Sequence, residues 1–135
     1  MRVLLVGDDD ALLEGLAQSF AALGYQPIVA PTLTDARDAS SRTPPLLAVI
    51  DRRQAAEATA DAMAVTLAPG GALVLFHATV DALPALPLAL QRSVMADLTL
   101  PLERARLLAL AQHVQDRVRA TGRGKRHTPP EQQAF

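Results

Sequence analysis

Short aliphatic runs alternate along this chain with segments whose apolar residues recur at helical spacing. Val3, Leu4, Leu5 and Val6 form the first run, too short for a helix core and aliphatic enough for a buried strand. It stops at three carboxylates, Asp8, Asp9 and Asp10. From Ala11 to Leu23, residues Leu12, Leu13, Leu16, Phe20 and Leu23 recur on a helical period, and Gly24 follows as a C-terminal stop. Gln26 to Ala30 reads as a short second strand, with Pro27 near its start. Thr32 or Thr34 can cap a weakly apolar second helix to about Ser41, before the break at Thr43-Pro44-Pro45. Leu46 to Ile50 is a third buried strand and ends in Asp51. An Ala-rich helix over Gln54 to Leu67 closes at Pro69-Gly70-Gly71, and Ala72 to Phe76 is a fourth strand. Val94 to Leu98 makes a weaker fifth, and the last helix runs from Leu102 to about Arg119.

The stretch from Thr79 to Arg92 interrupts this rhythm. A fourth helix belongs there, but Pro84 and Pro87 each remove a backbone donor and clash with the preceding turn. The expectation is an irregular segment, or a short displaced helix starting near Pro84 or Pro87, where proline suits a first turn. Five strand–helix units in order imply an α/β fold. Its sheet should be five-stranded, parallel and doubly wound, with right-handed crossovers and an irregular fourth-helix region.

Composition narrows the picture. A chain of 135 residues fits one domain with a proper core. With three Phe, one Tyr and no Trp, that core must be aliphatic. The absence of cysteine excludes disulfides and thiolate metal sites. No apolar run is long enough to span a bilayer and the N-terminus reads as a strand, so a soluble cytoplasmic protein is expected. Residues 1–100 carry six basic against eleven acidic side chains, whereas residues 101–135 carry seven against three. A single domain over 1–119 would therefore be followed by a basic, Gly- and Pro-containing tail over 120–135. Arg117, Arg119, Arg123, Lys125 and Arg126 complement a helix C-terminus. Without a helix-turn-helix pattern or aromatic–basic interleaving, direct nucleic-acid binding is not expected.

The candidate chemistry sits at strand ends. Asp8, Asp9 and Asp51 follow the first and third strands, which a doubly wound sheet can place side by side at its carboxyl edge, where such sheets hold ligands. Adjacent carboxylates repel one another and call for a cation. Hard oxygen ligands of this kind suit Mg²⁺. The plainer reading is that one of these aspartates caps the next helix.

On three motifs the sequence resembles the receiver domain of bacterial response regulators. They are Val-Leu-Leu-Val-Gly-Asp8-Asp9-Asp10-Ala-Leu-Leu, then Leu-Ala-Val-Ile-Asp51, and Leu98-Thr99-Leu100-Pro101 before the last helix. The resemblance covers roughly residues 2 to 119 and implies the flavodoxin-like receiver fold. It implies a phosphoacceptor at Asp51, phosphorylated by a histidine kinase, and a Mg²⁺ site made by Asp8, Asp9, Asp51 and the backbone carbonyl of Arg53.

The departures carry as much information. Where the family keeps a Ser or Thr after the fourth strand, this chain has His77, with Thr79 two residues on. Where the family keeps a Lys before a proline, it has Leu100 before Pro101, and the switch-aromatic position is Asp97. Losing the lysine removes the cation a phosphoryl group needs. Losing the hydroxyl and the aromatic removes the coupling that turns modification into a surface change. Arg52 or Arg53 can be considered as substitute cations, and His77 as a pH-sensitive donor; the plainer readings are a solvated helix start and a bonded strand-end ring.

The leading expectation is thus an atypical receiver, not an enzyme, acting in two-component-type signalling through a protein partner or a homodimer. The contact face would be the fourth-helix region, the fifth strand and the last helix, where Leu83, Leu86, Leu88 and Leu90 either stand exposed or pack on the sheet. The alternative is a working Mg²⁺-dependent phosphoacceptor. A Rossmann-type nucleotide enzyme is a third class, against which stands the lack of a Gly-x-Gly-x-x-Gly or P-loop motif.

Overall fold

The computed structural model describes residues 1–78, 83 and 85–126, the last five of these as backbone only. The chain runs β1 (Arg2–Val6), α1 (Asp10–Ala22), β2 (Gln26–Ala30), α2 (Leu33–Arg42), β3 (Leu47–Asp51), α3 (Arg52–Glu57) and α4 (Thr59–Met63). It continues through β4 (Ala72–His77), α5 (Leu88–Ser93), β5 (Val94–Thr99) and α6 (Arg104–Arg126). The strands form one parallel sheet in the order β2-β1-β3-β4-β5, as the alternation predicts.

Alternate residues of the central strands feed two cores because a strand turns successive side chains to opposite faces. Val3, Leu5, Val49, Val74 and Phe76 pack with Leu13, Leu16 and Phe20 of α1 and with Leu107, Ala111 and Val114 of α6. Leu4, Val6, Ala48, Ile50, Leu73 and Leu75 pack on the other face with Leu33, Ala36, Ala55, Ala62 and Leu90. Burial of this aliphatic surface from water drives the fold, and the Phe20–Tyr25 ring pair is its one aromatic contact among the described residues.

Two elements differ from expectation. The single helix expected over Gln54 to Leu67 is two short helices, because Ala58 leaves helical geometry at φ −132° and ψ 58°. The first of them starts at once after β3, with Asp51 as its cap. The last helix starts at Arg104 and runs on through Arg126, past the expected end near Arg119, with Gly122 and Gly124 in helical backbone. The displaced helix expected near Pro84 or Pro87 is α5, entered from Pro87. Its region divides: Leu90 is fully buried and Leu86 packs against the core, whereas Leu83 and Leu88 are exposed.

Candidate functional site

The neighbouring strands β1 and β3, with Val6 opposite Ile50, bring Asp8 and Asp51 to one carboxyl edge. Gly7 lets the backbone pass close: a Cβ there would stand 3.3 Å from Phe76 Cζ and 3.6 Å from Asp51 Cβ. Asp51 is buried at 5% exposure. Its Oδ1 accepts the Arg53 backbone N–H at 2.9 Å, so the carboxylate caps α3. Asp9 caps α1, its Oδ1 accepting Leu12 N–H at 3.1 Å, and Asp10 lies in the first turn, where the helix dipole favours a negative charge. The plain capping reading therefore holds for Asp9.

The two consecutive arginines diverge. Arg53 Nη2 stands 3.7 Å from Asp51 Oδ2 and 4.0 Å from Asp8 Oδ1. Arg52 turns the other way, and its Nη1 donates to Asp97 Oδ2. Asp97 Oδ1 lies 3.1 Å from His77 Nδ1, and His77 Nε2 lies 3.0 Å from Thr99 Oγ1. A carboxylate at Nδ1 favours the tautomer with its proton there, which leaves Nε2 to accept from the Thr99 hydroxyl. The parallel register makes this possible, since Leu75 faces Asp97 and His77 faces Thr99 across β4 and β5.

The chain continues into α6. The backbone N–H of Thr99 donates to Glu103 Oε1 at 2.8 Å, and Arg106 Nη1 donates to Glu103 Oε2 at 3.0 Å. The first of these bonds, then the second, holds the Glu103 carboxyl below its ordinary range. Thr99 and Glu103 escaped the sequence reading. A hydroxyl at the end of the fifth strand, matching His77 at the end of the fourth, is the signal that could have found Thr99.

Leu100 has no exposure and belongs to the core beside Leu107. It lines a cavity of about 410 Å³ between the starts of α1 and α6, together with Leu12, Leu16, Pro101 and, among polar groups, Asp9 and Arg104. The side of the site that the lysine would serve is therefore lined largely by apolar groups. Thr79 lies outside the described residues.

The expected Mg²⁺ ligands are not gathered into a carboxylate cluster. Among the described residues no group of three or more His, Asp or Glu side chains is placed to hold a metal ion. Asp9 gives one oxygen to its helix, accepting the Leu12 N–H. Arg53 lies in the first turn of α3.

The fold is that of response regulator receiver domains, a five-stranded parallel sheet in the order 2-1-3-4-5 with helices on both faces. Among solved structures the chain is similar to the N-terminal domain of a three-domain response regulator/sensory box/GGDEF protein from Carboxydothermus hydrogenoformans. The TM-score is 0.70 at 16% identity, covering 90% of this chain and 98% of that one. A CheY-like receiver domain from Methylobacillus flagellatus aligns with TM-score 0.68 at 19% identity, over 84% and 98% of the two chains. A structure described as an adenylate cyclase from Rhodopirellula baltica aligns with TM-score 0.65 at 17% identity, over 94% and 98%. No family model and no curated protein matches the sequence.

Proposed function

We propose that this chain is an atypical receiver, an interaction module of two-component-type signalling that works without a phosphorylation switch. The observation that carries this reading is the Arg52–Asp97–His77–Thr99 chain across the family's switch positions. In a phospho-switch those positions must be free to exchange partners when the acceptor is modified. Here the hydroxyl and aromatic positions are bonded to each other, and the lysine position is a core leucine.

The chain would act by protein contact rather than catalysis, in the cytoplasm; no helix among the described residues is long and apolar enough to cross a membrane. A partner or a second copy would use the α5–β5–α6 side. Leu88, Met95 and Leu102 are 58%, 36% and 77% exposed there, more apolar surface than a solvated edge needs.

One observation favours the second reading, a phosphoacceptor Asp51 served by a histidine kinase: Arg53 stands within 4 Å of its carboxylate and could meet a phosphoryl charge. Incubation with acetyl phosphate and Mg²⁺, followed by intact mass against an Asp51→Asn control, separates the two. The expected result is no adduct on the parent. An adduct that the control lacks would establish the second reading.

A further inference from the structure

We infer that Arg53 is a built-in counter-ion that takes the place of the divalent metal at the acidic edge. The inference rests on the reading of the chain as a receiver without a phospho-switch, and names how its acidic site is kept stable.

Asp8 and Asp51 come from different strand ends and need a positive charge between them. One guanidinium nitrogen of Arg53 lies 3.7 Å from the second and 4.0 Å from the first. The neighbouring Arg52 is paired with Asp97 instead. The position of Arg53 is fixed from behind by the helix that starts at once after β3, since Asp51 accepts the Arg53 backbone N–H. The same aspartate thus anchors the main chain of Arg53 with one oxygen and faces its side chain with the other. A divalent ion at this edge would have to displace a tethered charge, and it would find Asp9 already capping α1. Mg²⁺ sheds its water reluctantly and needs a near-octahedral oxygen shell, so a resident cation at the same place is an effective competitor.

The test reads metal binding directly, with no phosphodonor present. Mn²⁺ is titrated into the full chain while free Mn²⁺ is followed by electron paramagnetic resonance. The parent should bind only weakly, and Arg53→Gln should bind about tenfold more tightly or better, because one resident positive charge has gone from about 4 Å of the site. Arg53→Lys should stay close to the parent. Adding Asp8→Asn to Arg53→Gln should abolish the gain. The Arg53 side chain is 54% exposed, so the variant keeps its fold, which circular dichroism checks. Tight Mn²⁺ binding by the parent, or no gain in Arg53→Gln, overturns the inference. Neither result produces or removes an adduct on Asp51, so the parent reading stands or falls separately.

Discussion

Arg52 and Arg53 are adjacent in sequence and alike in chemistry, yet the two regions they serve are built differently. Arg53 is 54% exposed and faces Asp8, itself 73% exposed, at the outer limit of an ion pair. Arg52, Asp97 and His77 are 15%, 29% and 15% exposed and joined by hydrogen bonds. Water and salt screen the first region, so Arg53 sets charge there while adding little to stability. The second is tied together by hydrogen bonds, with Arg52 and His77 each only 15% exposed, so Arg52 fixes geometry. A single site can thus be electrically tuned at one end and mechanically set at the other, by consecutive residues that a helix start turns in opposite directions.

Asp97→Ala should break that contrast most severely. It removes a charged hydrogen-bond partner of both Arg52 and His77, whose side chains are each only 15% exposed, and should cost about 2 kcal/mol in urea denaturation. Arg53→Gln should stay within about 0.5 kcal/mol of the parent, as exposed substitutions usually do. Equal losses in the two variants would erase the distinction. His77→Phe keeps the ring's volume but removes its bonds to Asp97 and Thr99, and about 1 kcal/mol should be lost; no loss would mean that the chain ends at Asp97.

The smallest effect lies at the α6 end of the network. The Thr99 N–H holds the Glu103 carboxyl below its ordinary value of 4.5. The folded state therefore releases this proton more readily than the unfolded chain. Its contribution is fully present above the ordinary value and is lost as pH falls through the lowered one. Glu103→Gln should flatten that part of the acid-unfolding curve, and an unchanged curve would deny the bond any role in stability.

The fold was legible where pattern and chemistry coincide. Buried runs ending in Asp8 and Asp51 name both the strands and the edge at which they meet, because parallel strands must be apolar through their length and can tolerate charge only at their ends. The split of α3 from α4 was not legible, since the Ala-rich stretch contains no breaker and Ala58 departs from helical geometry without a residue-level signal. Gly122 and Gly124 read as part of a tail after the last helix, yet the backbone there is helical, an instance of context overriding propensity. The pairing of Arg52 with Asp97 spans 45 residues and depends on the register of β5, which periodicity cannot supply.

One junction has mechanical weight. α5 ends at Ser93 and β5 begins at Val94, so the residue that closes the helix is also the first of the edge strand. No loop residue lies between them, so a change in φ or ψ there falls on the terminal residues themselves. The two elements are therefore joined through Val94 directly. A binding partner on the edge strand would thus bear on the helix that displays Leu88, and one on Leu88 would bear on the strand that carries Asp97.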